Sequence, residues 1–235
     1  MNKNKNISPI INYNGKRIER IPVQTRILTS EDNIAQVIRE YALPLMQQGD
    51  ILTISESPLA ITQGRAVPVE NIKPSRLARF LSSKVMRVPY GIGLGSPTSM
   101  QCAIDECGAL RIFCAAVVGG FTKKFFKRSG DFYRLAGKQA ALIDAAETTT
   151  IEPYIHTVIK GPIHPEKVAQ ELSTELGYPI AIMDINDIGG CWVIGASKGI
   201  SKQFLEQVMK DNPQGQSDEH TSDRGGPSQS GARRR

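Results

Sequence analysis

The stretch Gly49-Asp50-Ile51-Leu52-Thr53-Ile54-Ser55 joins a turn to a short apolar run, and it sets the class of fold. A run of this length behind a glycine turn is typical of a buried strand. Just before it, residues 34–45 carry apolar side chains at the i, i+3, i+4, i+7 spacing of an amphipathic helix, behind the N-cap cluster at residues 30–33. A helix that leads directly into a buried strand indicates a protein of mixed helix and sheet.

The same alternation continues along the chain. Residues 165–177 predict a helix that begins near a proline and ends at a glycine, and residues 179–183 predict the strand after it. Further helices are predicted to begin at Pro74 and to span 98–106 and 202–209, and further strands to span 18–29, 64–69, 110–118, 132–136, 155–159 and 192–196. The predicted fold class is therefore α+β (mixed α/β), a single globular domain with a subordinate lobe.

The two ends of the chain differ in composition from the middle. Residues 1–17 predict a flexible basic arm, residues 18–210 the globular domain, and residues 211–235, rich in polar residues and glycine, a disordered tail. The formal net charge of +6 divides into +4 for residues 1–20, zero for residues 211–235 and +2 for the rest. Because the body is close to neutral, the excess charge gives little support to a nucleic-acid partner.

The composition favours a soluble globular protein. Of its 235 residues, 40% are apolar and 22% charged, which excludes a collagen-like or wholly disordered chain. No stretch supplies the roughly 20 apolar residues of a membrane span, and the first residues lack the apolar core of a signal peptide. We therefore expect a cytoplasmic protein without a membrane partner. The four cysteines contain no C-x-x-C pair and are expected to be reduced, small apolar residues.

An acidic turn follows the predicted strand at 179–183. Residues 184–190, Asp-Ile-Asn-Asp-Ile-Gly-Gly, place two carboxylates and an amide within four positions. Oxygen ligands of this kind suit Mg²⁺ or Mn²⁺, so Asp184, Asn186 and Asp187 are candidate ligands. An ordinary Asx-type turn between two strands would use the same residues, and both interpretations stay open.

Two further segments could contact phosphate. Residues 90–97 carry Gly91, Gly93 and Gly95 just before a predicted helix, and backbone N–H groups there could cradle an anion; a plain glycine-rich turn is the alternative. Residues 123–128, Lys-Lys-Phe-Phe-Lys-Arg, mix basic and aromatic side chains that could bind phosphate or single-stranded nucleic acid. A solvated loop is the alternative for that segment. No nucleophile elbow is present, so covalent hydrolysis has no support.

Several short segments also occur in an order that points to one family. They are residues 22–25 (Pro-Val-Gln-Thr), 49–56 (Gly-Asp-Ile-Leu-Thr-Ile-Ser-Glu), 63–65 (Gln-Gly-Arg), 73–75 (Lys-Pro-Ser), 102–106 (Cys-Ala-Ile-Asp-Glu), 164–166 (His-Pro-Glu) and 180–187 (Ile-Ala-Ile-Met-Asp-Ile-Asn-Asp). Together they resemble the deazaflavin-coenzyme (F-420) glutamate ligases, the gamma-glutamyl ligase family. In that family the segments similar to 102–106 and 180–187 hold metal.

The resemblance implies an α+β fold, an intertwined homodimer and the GTP-dependent addition of L-glutamate to a carboxylate of a small acid or cofactor. It implies that Asp105 and Asp184 hold Mg²⁺ or Mn²⁺, with two sites possible, and that Glu56 and Ser57 contact nucleotide. With the residue-based hypotheses, the nucleotide set becomes Glu56, Ser57, Gly91, Gly93, Gly95, Lys123 and Lys124. Two other functions stay open: a non-catalytic nucleotide- or metabolite-binding protein on the same fold, and a basic nucleic-acid-associated protein.

Overall fold

A computed structural model describes residues 9–85, 93–128, 130–147, 151–185 and 190–213, together with the backbone of residues 228–234. The chain divides into two compact units. The first combines residues 1–63 with residues 162–235, and the second is the continuous segment 64–161. Helices and strands occur in both units, which confirms the predicted α+β class.

The first unit contains most of the strands. Its strands are β1 (Ile10–Tyr13), β2 (Lys16–Gln24), β3 (Ile51–Ser55), β6 (Ile180–Ile185), β7 (Cys191–Ala196) and β8 (Ser228–Arg234). Its helices are α1 (Ile34–Val37), which continues as a π turn (Ile38–Ala42) and a 3₁₀ turn (Leu43–Leu45), α2 (Glu56–Thr62), α8 (Pro165–Leu176) and α9 (Lys202–Val208). The six strands form one sheet in the order β1-β2-β8-β3-β6-β7, in which β3 and β6 are parallel and the other pairs antiparallel.

Both faces of this sheet are covered by helices. Alternate residues along β3 and β6 enter two different apolar clusters, as the period of a strand requires. One cluster joins the sheet to α1 and α8 through Ile38, Leu52, Ile54, Leu172, Ile180 and Ile182. The other joins it to α9 through Ile51, Ala181, Met183, Phe204, Leu205 and Val208. Because both of its faces are buried, β3 consists of five buried residues.

The second unit is mainly helical. Its helices are α3 (Arg76–Ser82), α4 (Pro97–Cys107), α5 (Ala109–Phe126), α6 (Asp131–Ala136) and α7 (Lys138–Ala141), and β4 (Ala66–Pro68) pairs with β5 (Thr157–Ile159) in a two-stranded sheet. Its core contains buried side chains of α3, α4 and α5, with Met100 and Ile112 among the least exposed. Ser75 caps α3 and Ser96 caps α4 by accepting a hydrogen bond from the backbone N–H three residues on.

The predicted buried strand at residues 110–118 is wrong, because this apolar run belongs to helix α5. A continuous apolar run fits a buried strand and a helix equally well, so its periodicity could not distinguish them. Gly119 and Gly120 do not break the helix. A Cβ at Gly119 would lie 3.0 Å from the Cβ of Phe132, so the glycine allows α6 to approach α5 closely.

Three other predictions differ from the structure. Residues 132–136 belong to helix α6 instead of a strand. Part of the predicted flexible arm forms the hairpin of β1 and β2, because Asn14 and Gly15, both at positive φ, make the two-residue turn that such a hairpin favours. Part of the predicted disordered tail forms β8, which pairs through its backbone with β2 and β3.

None of the helices in the described ranges is both long and apolar enough to cross a membrane.

Candidate functional site

Two acidic residues lie near the carboxyl ends of neighbouring parallel strands in the first unit's sheet. Strands β3 and β6 are parallel neighbours, and Ser55 pairs with Met183. Glu56 follows Ser55 as the first residue of α2, and Asp184 follows Met183 on β6, so both come directly after this pair, toward the carboxyl ends of the two strands. In sheets built from parallel strands, ligands bind beyond this end. The structure thus joins a predicted nucleotide residue and a predicted metal ligand, which are far apart in the sequence.

Local structure explains the position of Glu56. It is the first residue of α2, which follows β3 without a loop, and it is only 9% exposed. A carboxylate in the first turn of a helix is stabilised by the helix dipole. Ser57 is the next residue of the same helix and is half-buried. Helix α2 begins directly after β3, so both side chains belong to the sheet edge and not to a long loop.

Asp184 lies on β6, where it pairs with Trp192 of β7 and is half-buried. The other two candidate ligands of the acidic turn, Asn186 and Asp187, lie outside the described residues. Within the described ranges, no group of three or more His, Cys, Asp or Glu side chains could hold a metal ion. Glu56 and Asp184 still fit a cation such as Mg²⁺, because it prefers oxygen ligands and is commonly bound by one or two carboxylates and substrate phosphates.

Asp105 belongs to the second unit. It lies on the exposed side of α4, and its Oδ1 accepts a hydrogen bond from Nε2 of Gln101, one turn earlier, at 2.7 Å. Its predicted role beside Asp184 is not tested by these contacts. The next residue of α4, Glu106, is a carboxylate paired with two cations of the second unit.

Glu106 is the centre of an ion-pair cluster in the second unit. Its carboxylate accepts from Nη2 of Arg65 at 2.6 Å and from Nζ of Lys160 at 2.9 Å. Arg65 is 7% exposed, and its Nε also donates to the backbone carbonyl of Gly161. Burial alone would raise the pKa of Glu106, but the two hydrogen bonds outweigh it and hold that pKa below its usual value. This cluster was not predicted from the sequence, in which Arg65 was noted only as part of the segment at residues 63–65.

The glycine-rich segment is described only in part. Gly91 lies outside the described residues, whereas Gly93 and Gly95 bound a 3₁₀ turn that leads into α4. Gly93 has φ of +47°, a conformation that favours glycine. Ser96 then caps the helix, and its Oγ lies 2.7 Å from Oγ1 of Thr98. The hydroxyl of Ser96, which is buried, already accepts from the backbone N–H of Ser99, so the structure favours a plain capped turn at this end of the segment.

Lys123 and Lys124 lie on the last turns of α5 and are exposed. The ammonium group of Lys124 lies 5.6 Å from the centre of the Phe125 ring. This segment is thus a helix end, and not the solvated loop that was the alternative interpretation.

Three of the four cysteines are poor nucleophiles in this structure, whereas the fourth, Cys114, is exposed on α5. Burial raises the pKa of the Cys102 thiol to about 11 and that of the Cys191 thiol to about 12. Burial also raises the pKa of Cys107. Thiols with such pKa values are protonated near neutral pH, which agrees with their interpretation as small apolar residues.

Comparison with known proteins identifies the family. A family model described as F420-0:Gamma-glutamyl ligase matches residues 22–188, more than two thirds of the chain. Among curated proteins, no match was found. The matched range includes β3, β6 and the two acidic residues at their ends. The chain therefore belongs to the F420-0:gamma-glutamyl ligase family.

Proposed function

We propose that the protein is a nucleotide- and divalent-metal-dependent gamma-glutamyl ligase that adds L-glutamate to a carboxylate of a small acid or cofactor. Membership of the ligase family supports the reaction class. The observation that carries the finer proposal is the pairing of β3 with β6, which brings Glu56 and Asp184 to the same edge of the sheet.

Forming an amide from a carboxylate requires that the carboxylate be activated first. In the proposed reaction, the acceptor carboxylate takes the terminal phosphoryl group of GTP and becomes an acyl phosphate. The amino group of L-glutamate then attacks the acyl carbon and displaces phosphate. Such chemistry depends on positioning and charge stabilisation more than on a nucleophile of the protein, which agrees with the protonated thiols and the missing nucleophile elbow.

The charge at the sheet edge is the reason for proposing a metal. Two carboxylates would repel a triphosphate, so an anionic nucleotide could bind beside them only with cations between. We assign Asp184, Asn186 and Asp187 to one Mg²⁺ or Mn²⁺ ion and Asp105 to a second. Glu56, which the resemblance gave to the nucleotide, is proposed here as a further ligand of the first ion because it follows the strand beside that of Asp184. When bound, such an ion neutralises phosphate charge and polarises the phosphoryl oxygens.

The chain's own groups would orient the substrates. Helix α2 holds Glu56 rigidly because it begins directly at the end of β3. Gly91, Gly93, Gly95, Lys123 and Lys124 are proposed as phosphate-facing groups; the 3₁₀ turn bounded by Gly93 and Gly95 and the exposed positive charge of the two lysines support this. We also propose a homodimer in the cytoplasm, and the resemblance to the family is the support for it.

Thermal unfolding tests nucleotide and metal dependence together. Ligands that bind the folded state raise its melting temperature. We expect GTP with Mn²⁺ or Mg²⁺ to raise the Tm more than GDP does, and either component alone to raise it less. Absence of a shift with GTP or ATP at any metal concentration would contradict nucleotide dependence.

Turnover then separates an enzyme from a binding protein. Phosphate release from GTP is measured with L-glutamate and with F420-0, the acceptor in the family's name, or other small carboxylic acids. We expect release that requires both glutamate and an acceptor. A thermal shift without any such turnover would favour the alternative, a non-catalytic nucleotide-binding protein.

A further inference from the structure

Helix α5 of the second unit presents an apolar surface that nothing in the described residues covers. Its large exposed side chains range from 41% exposed for Val118 to 77% for Leu110. The full set, called the α5 face below, is Leu110, Phe113, Val117, Val118, Phe121, Phe125 and Phe126. A contiguous exposed group of this size on one helix marks an interaction surface.

The exposure follows from how the helix packs. Ile112 and Ala115 are buried in the core of the second unit, and Gly119 faces Phe132 of α6. Positions 110, 113, 117, 121 and 125 recur at three- and four-residue intervals and so form one stripe along the opposite side. The helix thus already has a buried side, and the α5 face is a second apolar side with no role in the core.

Basic side chains surround one end of the α5 face. Lys123, Lys124, Lys127 and Arg128 are all exposed. Residues 109–138 contain seven Lys and Arg but a single acidic residue, Asp131. That residue is 5% exposed, and its Oδ1 lies 2.9 Å from Nη2 of Arg134. The surface around α5 is therefore positively charged, with its one carboxylate turned inward.

We propose that the α5 face binds the surface of a membrane rich in anionic lipids, with the helix lying in the interface. Exposed phenylalanines would enter the boundary between headgroups and acyl chains, and the neighbouring lysines would meet the lipid phosphates. The proposal concerns peripheral binding only. It revises the expectation of no membrane partner, and it gives Lys123 and Lys124 to lipid phosphates in place of the nucleotide phosphates proposed above, while the reaction class proposed above does not depend on it.

Charge favours a lipid surface over a second copy of this chain. Helix α5 contains no acidic residue, so two α5 faces packed together would bring their lysines into a shared interface without carboxylates of α5 to pair with them. An anionic bilayer supplies negative charge along the whole basic end. Apolar and electrostatic contributions would then act together, as in amphipathic helices that bind membranes reversibly.

Co-sedimentation of the full chain with vesicles tests the proposal. Phosphatidylcholine vesicles are compared with vesicles that also contain phosphatidylglycerol, at low and high salt. We expect binding to the anionic vesicles and its reduction by salt. Replacing Lys123, Lys124 and Lys127 by glutamine should weaken binding roughly 100-fold, because each lysine near an anionic surface changes partitioning about five-fold.

A second variant tests the apolar part. F121S with F125S should weaken binding at least about tenfold, whereas the matched control Phe80→Ser, an exposed phenylalanine of α3, should leave it unchanged. The melting temperature of each variant shows that it is folded. Absence of binding to anionic vesicles, or equal binding by wild type and both α5 variants, would overturn the proposal. So would a concentration-dependent dimer, seen by sedimentation velocity, that F121S with F125S dissociates while vesicle binding is absent.

Discussion

In the first unit, Glu56 and Asp184 stand at the ends of two parallel strands, whereas in the second unit Glu106 lies on a helix and is held by two cations. The same kind of side chain thus has two different uses. A carboxylate that follows a strand reaches the edge of the sheet, where a ligand can approach. A carboxylate on the inner side of a helix needs a cation of the protein itself to offset the cost of burial.

The apolar helices of the two units differ in the same way. Helix α8 of the first unit buries Ala169 and Leu172 against the sheet, as an amphipathic helix is expected to do. Helix α5 of the second unit is apolar on two sides and buries only one. From this comparison we infer that the strand ends of the first unit supply carboxylates for a ligand and that α5 of the second unit supplies a binding surface. The following predictions test that inference.

The largest effect is expected at the sheet edge. Asp184→Asn and Glu56→Gln should each lower glutamate-dependent turnover of GTP by roughly 100-fold or more, because each removes a charge that the proposed cation requires. Steady-state phosphate release measures this. The matched control is Glu175→Gln, an exposed acid of α8, which should stay within about twofold of wild type.

Asp105→Asn sharpens the same comparison. We expect it to lower glutamate-dependent turnover as well, because Asp105 is assigned to the second proposed ion, and turnover close to wild type would remove Asp105 from the proposal. Activity close to wild type in Asp184→Asn itself would instead remove the sheet edge from the proposed mechanism.

The next effect concerns the buried ion pairs of the second unit. Arg65→Met should lower the free energy of unfolding by about 3–5 kcal/mol, because it leaves Glu106 with only Lys160 and removes the donor to the Gly161 carbonyl. Urea unfolding measures the change. Lys160→Met, which removes a more exposed cation, should cost less. A change below about 1 kcal/mol in Arg65→Met would contradict the structural role of the cluster.

Substitutions of two glycines should have smaller effects on stability, and these effects should be of opposite sign. A Cβ at Gly195 of β7 would overlap the backbone of Pro165 and lie 2.7 Å from the backbone nitrogen of Glu166. Gly195→Ala should therefore destabilise the protein by about 1–3 kcal/mol. Gly120 of α5 has no neighbour within 4 Å of its Cβ position, so Gly120→Ala should raise stability by up to about 1 kcal/mol. Thermal unfolding of the two variants should give Tm shifts of opposite sign.

The smallest effect on stability is expected at the ion pair of Arg26 and Asp32 in the first unit. The hydrogen bonds from Arg26 lower the pKa of Asp32 to about 2, with a further contribution from the backbone N–H of Thr29. Because the folded-state pKa is below the usual 3.8, the stabilisation is present above pH 4 and is lost as the pH falls toward 2. Asp32→Asn should cost less than about 1 kcal/mol at neutral pH, and the cost should shrink as the pH falls through about 2. An NMR titration with a midpoint near 4 for Asp32 would contradict this.

Local sequence signals predicted the elements of the first unit well. The strand at Ile51–Ser55 and the helix at Pro165–Leu176 are confirmed, since a buried strand and a helix bounded by Pro and Gly each have a local cause. The hairpin of β1 and β2 was missed although its Asn14-Gly15 turn is visible in the sequence. Strand β8 could not be predicted, because its residues have no strand pattern and its pairing partners are distant in the chain.

The elements of the second unit were harder to predict from the sequence, for a physical reason. The apolar run at residues 110–118 has no period, so only the packing of the folded chain decides that it is a helix. The cluster of Arg65, Glu106 and Lys160 joins segments that are far apart in sequence, and no local pattern announces such a contact. At the sheet edge, the resemblance named Glu56 and Asp184 separately. Their meeting required knowing that β3 and β6 are neighbours.

Binding of Mn²⁺ in the presence of GTP tests the central claim most directly. Electron paramagnetic resonance distinguishes free from bound Mn²⁺, so a titration can be followed for wild type, Asp184→Asn and the control Glu175→Gln. We predict that wild type and the control bind Mn²⁺ with GTP and that Asp184→Asn loses at least one bound ion. Equal Mn²⁺ binding by all three proteins, or absence of binding by wild type, would contradict a metal-dependent nucleotide site at the ends of β3 and β6.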